Sequence, residues 1–120
     1  MVEERAKRKL SAILSADVKG YSRLMGEDEL LTVQRLKQYR QAIGRLVQEY
    51  HGRVVDSPGD NVLAEFGSVV DGVECAAKTQ ENLKEKNANL PENRRMEFRI
   101  GVNLGEQAVK NIRKHIYYTG

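Results

Sequence analysis

LSAILSADVKGYSRLMGE, the stretch from Leu10 to Glu27, changes its hydrophobic period part-way along, and that change sets the architecture. Up to Val18 it is a short, largely apolar run closed by Gly20, the pattern of a strand buried on both faces in the middle of a sheet. From Tyr21 the spacing turns helical, first in a short piece around Ser22 to Met25 and then in a long helix from about Glu29 to Tyr50. There Val33, Leu36, Ile43, Leu46, Val47 and Tyr50 recur at three- and four-residue steps and predict one core-facing stripe. Gly52 is expected to end the helix.

Downstream, RVVDS and NVLAEF within Arg53 to Phe66 read as two strands joined by a tight turn at Pro58-Gly59-Asp60, a hairpin signal. Ser68 followed by Asp71 resembles an N-cap with an acidic third position, and Val70, Val73, Ala76, Ala77, Gln80 and Leu83 continue a helix toward Asn87, with Pro91 beyond its end. Met96 to Leu104 alternates strictly. Met96, Phe98, Ile100, Val102 and Leu104 share one face; Glu97, Arg99 and Asn103 share the other. The order strand, helix, hairpin, helix, strand predicts an α+β fold, a ferredoxin-like antiparallel sheet with helices on one face. Residues 106–120 fit this scheme poorly, although Ala108, Val109, Ile112 and Ile116 have the spacing of a short amphipathic helix.

At 120 residues, 40% hydrophobic and 31% charged, the chain has the size and composition of one globular domain. No apolar stretch is long enough for a transmembrane helix, and the charged start MVEERAKRK has no signal-type apolar segment behind it, so a cytoplasmic location is expected. Cys75 stands alone and the two histidines are far apart, which excludes an internal disulfide and a zinc cluster. Cys75 reads as a small buried residue on a helix. The net charge of +3 is spread among nearly as many acidic residues, and Arg5, Lys7, Arg8 and Lys9 read as a solvated lead-in, so no nucleic-acid partner is expected.

Two aspartates occupy places where a sheet can hold a metal: Asp17 at the carboxyl end of the first strand and Asp60 in the hairpin turn. If the first strand pairs beside the hairpin, both carboxylates fall at one edge and can share divalent cations, with Mg²⁺ favoured because it binds oxygen ligands and substrate phosphates. A turn aspartate also serves local hydrogen bonds, so position alone leaves both roles open. Gly20-Tyr21-Ser22 is either a helix start whose free N–H groups hold an anion or a plain strand-ending turn with Ser22 as N-cap. His51 reads as a helix C-terminal cation or an exposed residue rather than a base. Met25, Leu30 and Leu31 fit either core packing or contact with a partner, while Lys19, Arg23 and Arg45 read as solvated.

Taken together these motifs resemble the class III nucleotide cyclases. Leu10 to Glu27 resembles their opening motif, an aspartate ending strand one before a Gly-aromatic-Ser/Thr turn. Gly59-Asp60 with Val62 to Phe66 resembles their second metal motif, and Phe98 to Gly105 (FRIGVNLG) the strand and glycine turn that follow. The resemblance divides the chain into a basic lead-in, residues 1–8, the front half of a cyclase-like domain, residues 9–105, and an unmatched tail, residues 106–120. It implies two ions of Mg²⁺ or Mn²⁺ per site, held by Asp17, Asp60 and the carbonyl of Val18. It also implies a triphosphate cradled by the amides of Gly20, Tyr21 and Ser22. The implied reaction is attack of a ribose 3′-hydroxyl on the α-phosphorus of ATP or GTP with release of diphosphate. The implied partner is a second copy or a complete cyclase subunit.

Two departures matter. Many adenylate-forming members have a lysine four residues before the second metal aspartate, where this chain has Asp56, which leaves base preference open. After Gly105 no Asn-Val-Ala-x-Arg type motif follows, and Asn111 and Arg113 take no role. The expectation is therefore an interrupted cyclase domain with an unpaired sheet edge prone to association. The alternatives are a module that keeps metal–nucleotide binding or dimerisation without catalysis, and a whole protein whose tail replaces the missing part.

Overall fold

The first strand, β1 (Ser11–Val18), lies between two antiparallel neighbours, β3 (Val62–Phe66) and β4 (Phe98–Gly105). A computed structural model describes residues 11–105 and 116–118 of the chain. Its remaining elements are α1 (Tyr21–Glu27), α2 (Glu29–Glu49), β2 (Arg53–Asp56), α3 (Val69–Asn87), a short 3-10 turn (Glu92–Arg94) and β5 (Ile116–Tyr118). The sheet order is β2-β3-β1-β4-β5, and every pairing is antiparallel. The first four strands and the helices between them form the expected ferredoxin-like arrangement.

Alternation places Ala12, Leu14, Ala16 and Val18 of β1 under the helices beside Val62, Ala64 and Phe66 of β3 and Phe98, Ile100 and Val102 of β4, all buried. On the opposite face Ile13 is buried as well, but Ser15 and Asp17 are half-buried. Two-sided burial thus covers the start of β1 and leaves its carboxyl end accessible.

The helices meet the core through stripes that differ in part from those expected. In α2, Leu36, Ile43, Leu46 and Val47 are buried with Tyr39 and Ala42, whereas Val33 is exposed. In α3 the buried stripe is Gly72, Cys75, Ala76, Thr79, Leu83 and Asn87, while Val70, Val73 and Ala77 face out. Gly72 decides this rotation. A Cβ there would lie 3.2 Å from the Ala12 Cβ, so the small residues let the helix settle close to β1, and Val70, about 200° away around the helix, is turned from the sheet.

Each helix boundary has its own cause. The Asp28 side chain accepts from Leu31 N at the start of α2, and the Ser68 hydroxyl accepts from Asp71 N at the start of α3, as the spacing predicts. At the end of α2 the left-handed residue is His51 (φ 67°), not Gly52. Gly52 answers a different demand, since a Cβ on it would overlap the Phe66 ring.

Strand β4 starts at Phe98 rather than Met96 because side chains claim the Met96 backbone. Asn87 Oδ1 accepts from Met96 N (3.1 Å), and Asn87 Nδ2 donates to Met96 O (2.9 Å). The Tyr39 hydroxyl donates to the same Oδ1 (2.8 Å), tying α2, α3 and the approach to β4 at one buried amide.

Of the amphipathic helix expected in the tail, Ala108, Val109 and Ile112 lie outside the described residues. Ile116 belongs to β5, where Asn103 pairs with Ile116, Val102 with Tyr117 and Gly101 with Tyr118. The edge expected to be unpaired is therefore paired over these residues, because the N–H and C=O groups of β4 need partners that a short helix would not supply.

Candidate functional site

The β1–β3 register decides whether the two sequence motifs meet. Ala16 pairs with Val62, so two steps farther along each strand Asp60 arrives beside Val18. Asp60 Oδ2 accepts a hydrogen bond from Val18 N at 3.1 Å. The turn that presents Asp60 is closed by Asn61 N donating to Pro58 O (2.8 Å), with Gly59 in the left-handed region (φ 57°). Ser57 Oγ donates to Asn61 O (3.0 Å) and braces it.

Asp17 is held from the other side. Arg99, directly opposite on β4, donates Nε to Oδ1 and Nη2 to Oδ2, each at 3.1 Å. The Asp17 side chain keeps 35% of its surface exposed and the Arg99 side chain 58%, so the pair sits in water-screened surroundings. Lys19 N donates to Glu97 O (2.8 Å), carrying the β1–β4 ladder one residue past the strand end.

Gly20 (φ 63°, ψ 36°) then turns the chain into α1 and is its N-cap. Ser22 lies inside the first turn rather than capping it, and no side chain caps this end. Gly20 and Ser22 are exposed, whereas Tyr21 is half-buried and packs on the core. Lys19 and Arg23 are exposed, and Arg23 pairs with Glu27 at 3.1 Å. Asp56 is exposed at the end of β2, its Oδ1 accepting from Ser57 N (2.8 Å) next to a register shift between Val54 and Asp56.

The turn thus sets Asp60 against the Val18 backbone, next in sequence to Asp17, while the Asp17 side chain meets Arg99, and Gly20 to Ser22 follow two residues after Val18. Among the described residues no cluster of three or more His, Cys, Asp or Glu side chains could hold a metal. His51 is exposed, with its Nδ1 3.5 Å from an Asp71 carboxylate oxygen, and Cys75 is buried, as expected of both. In the sequence Arg99 reads only as part of the polar face of a strand. Its role depends on the β1–β4 register, which spacing alone does not reveal.

No protein-family model matches the sequence. "Putative adenylate cyclase 3" of Rhizobium meliloti is 46% identical over 112 residues, 92% of this chain and 19% of that protein. The crystal structure of an adenylate/guanylate cyclase/hydrolase from Silicibacter pomeroyi superposes with a TM-score of 0.73 at 36% identity, over 80% of this chain and 56% of that one. The chain is part of a class III nucleotide cyclase domain. The adenylyl cyclase CyaB from P. aeruginosa has the same fold, with a TM-score of 0.69 at 20% identity over 93% of this chain and 66% of that one. The chain spans about a fifth of its curated relative and just over half of the Silicibacter structure. Among its described residues no helix is long and apolar enough to cross a membrane.

Proposed function

We propose that Asp17, Val18 and Asp60 form the metal-binding part of a nucleotide cyclase site, where the ribose 3′-hydroxyl of ATP or GTP attacks its own α-phosphorus and diphosphate leaves. The observation that carries this reading is the hydrogen bond from Val18 N to Asp60 Oδ2, which joins the second carboxylate to the strand end that bears the first.

The donor set suits Mg²⁺ or Mn²⁺. Two carboxylates and the Val18 carbonyl are hard oxygen ligands, and Mg²⁺ usually binds through one or two carboxylates together with substrate phosphates and water. Two such ions, when bound, make the attacking hydroxyl more acidic and offset charge on the leaving diphosphate. Asp60 keeps Oδ2 on Val18 N, which fixes the carboxylate and leaves Oδ1 for coordination. Asp17, whose two oxygens meet Arg99, would have to release that contact to hold a cation. The N–H groups of Gly20, Tyr21 and Ser22 face no capping side chain and hold phosphate oxygens. Asp56 accepts a hydrogen bond from a base amino group, where a lysine would donate.

A second subunit completes the site in this reading. Leu30 is 70% exposed at the start of α2, with half-buried Met25 and Leu31 beside it in sequence, and this apolar group contributes to the interface.

One observation favours a non-catalytic module with weakened metal binding: Arg99 holds both oxygens of Asp17, so a cation must compete for them. The two readings separate in an assay for cyclic nucleotide from ATP and from GTP with Mg²⁺ or Mn²⁺, run beside Asp17→Ala. Product that vanishes in the variant supports the cyclase. No product, with metal-dependent nucleotide binding that the variant loses, supports the module. Absence of both product and metal-dependent binding sinks the two together.

A further inference from the structure

The tip of the loop that carries Asp60 is not held by packing. The last cross-strand pair of the hairpin is Asp56 with Leu63, and Asp56, Ser57, Pro58 and Gly59 are all exposed. A Cβ built on Gly59 would meet nothing within 4 Å. A loop so exposed keeps one shape through its hydrogen bonds, against the conformational entropy that favours opening it.

Two of these bonds close on Asn61, the residue after Asp60. Asn61 N donates to Pro58 O at 2.8 Å, and Ser57 Oγ donates to Asn61 O at 3.0 Å. A third, from Val18 N to Asp60 Oδ2 at 3.1 Å, ties the loop to β1. The first uses only backbone groups, which nearly every residue supplies. The second depends on one hydroxyl. Ser57 is well placed to hold it. Pro58 disfavours helical backbone at the residue before it, which lowers the freedom Ser57 gives up on folding. Ser57 N also donates to Asp56 Oδ1 at 2.8 Å, so the residue is fixed on its other side as well.

We propose that Ser57 is a positioning residue for Asp60. Its hydroxyl holds the Asn61 carbonyl, and the closed loop keeps the Asp60 carboxylate against Val18 N with Oδ1 left for a cation. Ser57 touches neither metal nor nucleotide in this role. The effect on metal affinity rests on the cyclase reading, whereas the hold on Asp60 is independent of it.

The Val18 amide reports the contact without any metal. Amide hydrogen exchange of the full chain in EDTA, read by nuclear magnetic resonance, compares Val18 with Ile43, which is buried inside α2. Asp60→Ala removes the acceptor and sets the limit of lost protection at Val18. Ser57→Ala should speed exchange at Val18 by roughly two- to tenfold beyond any change at Ile43, the worth of one neutral hydrogen bond. Ser57→Thr keeps the hydroxyl and should restore the parent rate. In a manganese titration followed by electron paramagnetic resonance, affinity should weaken by a similar factor in Ser57→Ala and return in Ser57→Thr. A purely structural role would speed Val18 and Ile43 alike. That result overturns the proposal, as does an unchanged Val18 rate or Mn²⁺ affinity in Ser57→Ala, or a failure of Ser57→Thr to restore them. A parent chain that binds no Mn²⁺ counts against the cyclase reading alone, because exchange at Val18 still decides whether Ser57 positions Asp60.

Discussion

Arg99 and Asp17 face each other across β4 and β1, and the guanidinium spans both carboxylate oxygens at 3.1 Å. A cation arriving at Asp17 must displace this contact. Arg99→Met should therefore bind Mn²⁺ more tightly than the parent chain, by up to about fivefold, since a solvent-exposed pair is worth at most about 1 kcal/mol. Manganese titration followed by electron paramagnetic resonance reads this directly. Weaker binding in the variant would show that Arg99 shapes the carboxylate for the metal instead of competing with it.

Asn87 satisfies three partners from a buried position, and its loss should be felt in stability rather than at the aspartates. Asn87→Ala strands the Tyr39 hydroxyl and both polar groups of Met96, and should cost about 2–4 kcal/mol in urea unfolding. Tyr39→Phe removes only one of these bonds and should cost about 1 kcal/mol. Equal losses in the two variants would contradict the central place given to the amide.

Burial pushes the Tyr39 hydroxyl above its ordinary 10.0 and the Cys75 thiol above its ordinary 9.0. Both groups are neutral when protonated, so the folded chain holds these protons more tightly than the unfolded chain. Their contribution is complete below pH 9.0 and is lost as pH rises through the shifted values. Denaturation midpoints should fall first above the ordinary cysteine value and further above the ordinary tyrosine value. Cys75→Ala should flatten the first decline and Tyr39→Phe the second. A profile unchanged in both variants would exclude these groups as the cause.

Two glycines of similar appearance should respond in opposite directions. A Cβ on Gly52 meets the Phe66 ring and the Glu65 carbonyl, so Gly52→Ala should destabilise by about 1–3 kcal/mol or more. A Cβ on Gly44, within α2, meets nothing within 4 Å, and Gly44→Ala should stabilise by about 0.5–1 kcal/mol. Thermal melts of the two variants check both signs.

The order of elements was legible in the chain because backbone hydrogen bonding and side-chain alternation impose local periods. The run before Val18, the Pro58-Gly59-Asp60 turn and the alternation from Phe98 each announce themselves within a few residues. The Ser68–Asp71 cap is equally local, as is the inert character of Cys75. The two aspartates were legible as candidates, whereas the contact of Asp60 with Val18 N depends on β1 lying beside the hairpin.

What the chain does not state locally is which residues face one another. Gly72 hides the side of α3 that meets the sheet, because a missing side chain carries no hydrophobic signal, and the neighbouring valines carry a misleading one. Asn87 reads as a helix end until Met96 and Tyr39 converge on it from nine and 48 residues away. Arg99 reads as an exposed strand residue until the β1–β4 register sets it against Asp17. The amino-acid sequence by itself determined the elements, their order and the two aspartates that define the candidate site. The tertiary structure alone decided the strand register, the helix rotation and the pairing of each buried polar group, since these follow from packing between segments remote in the chain.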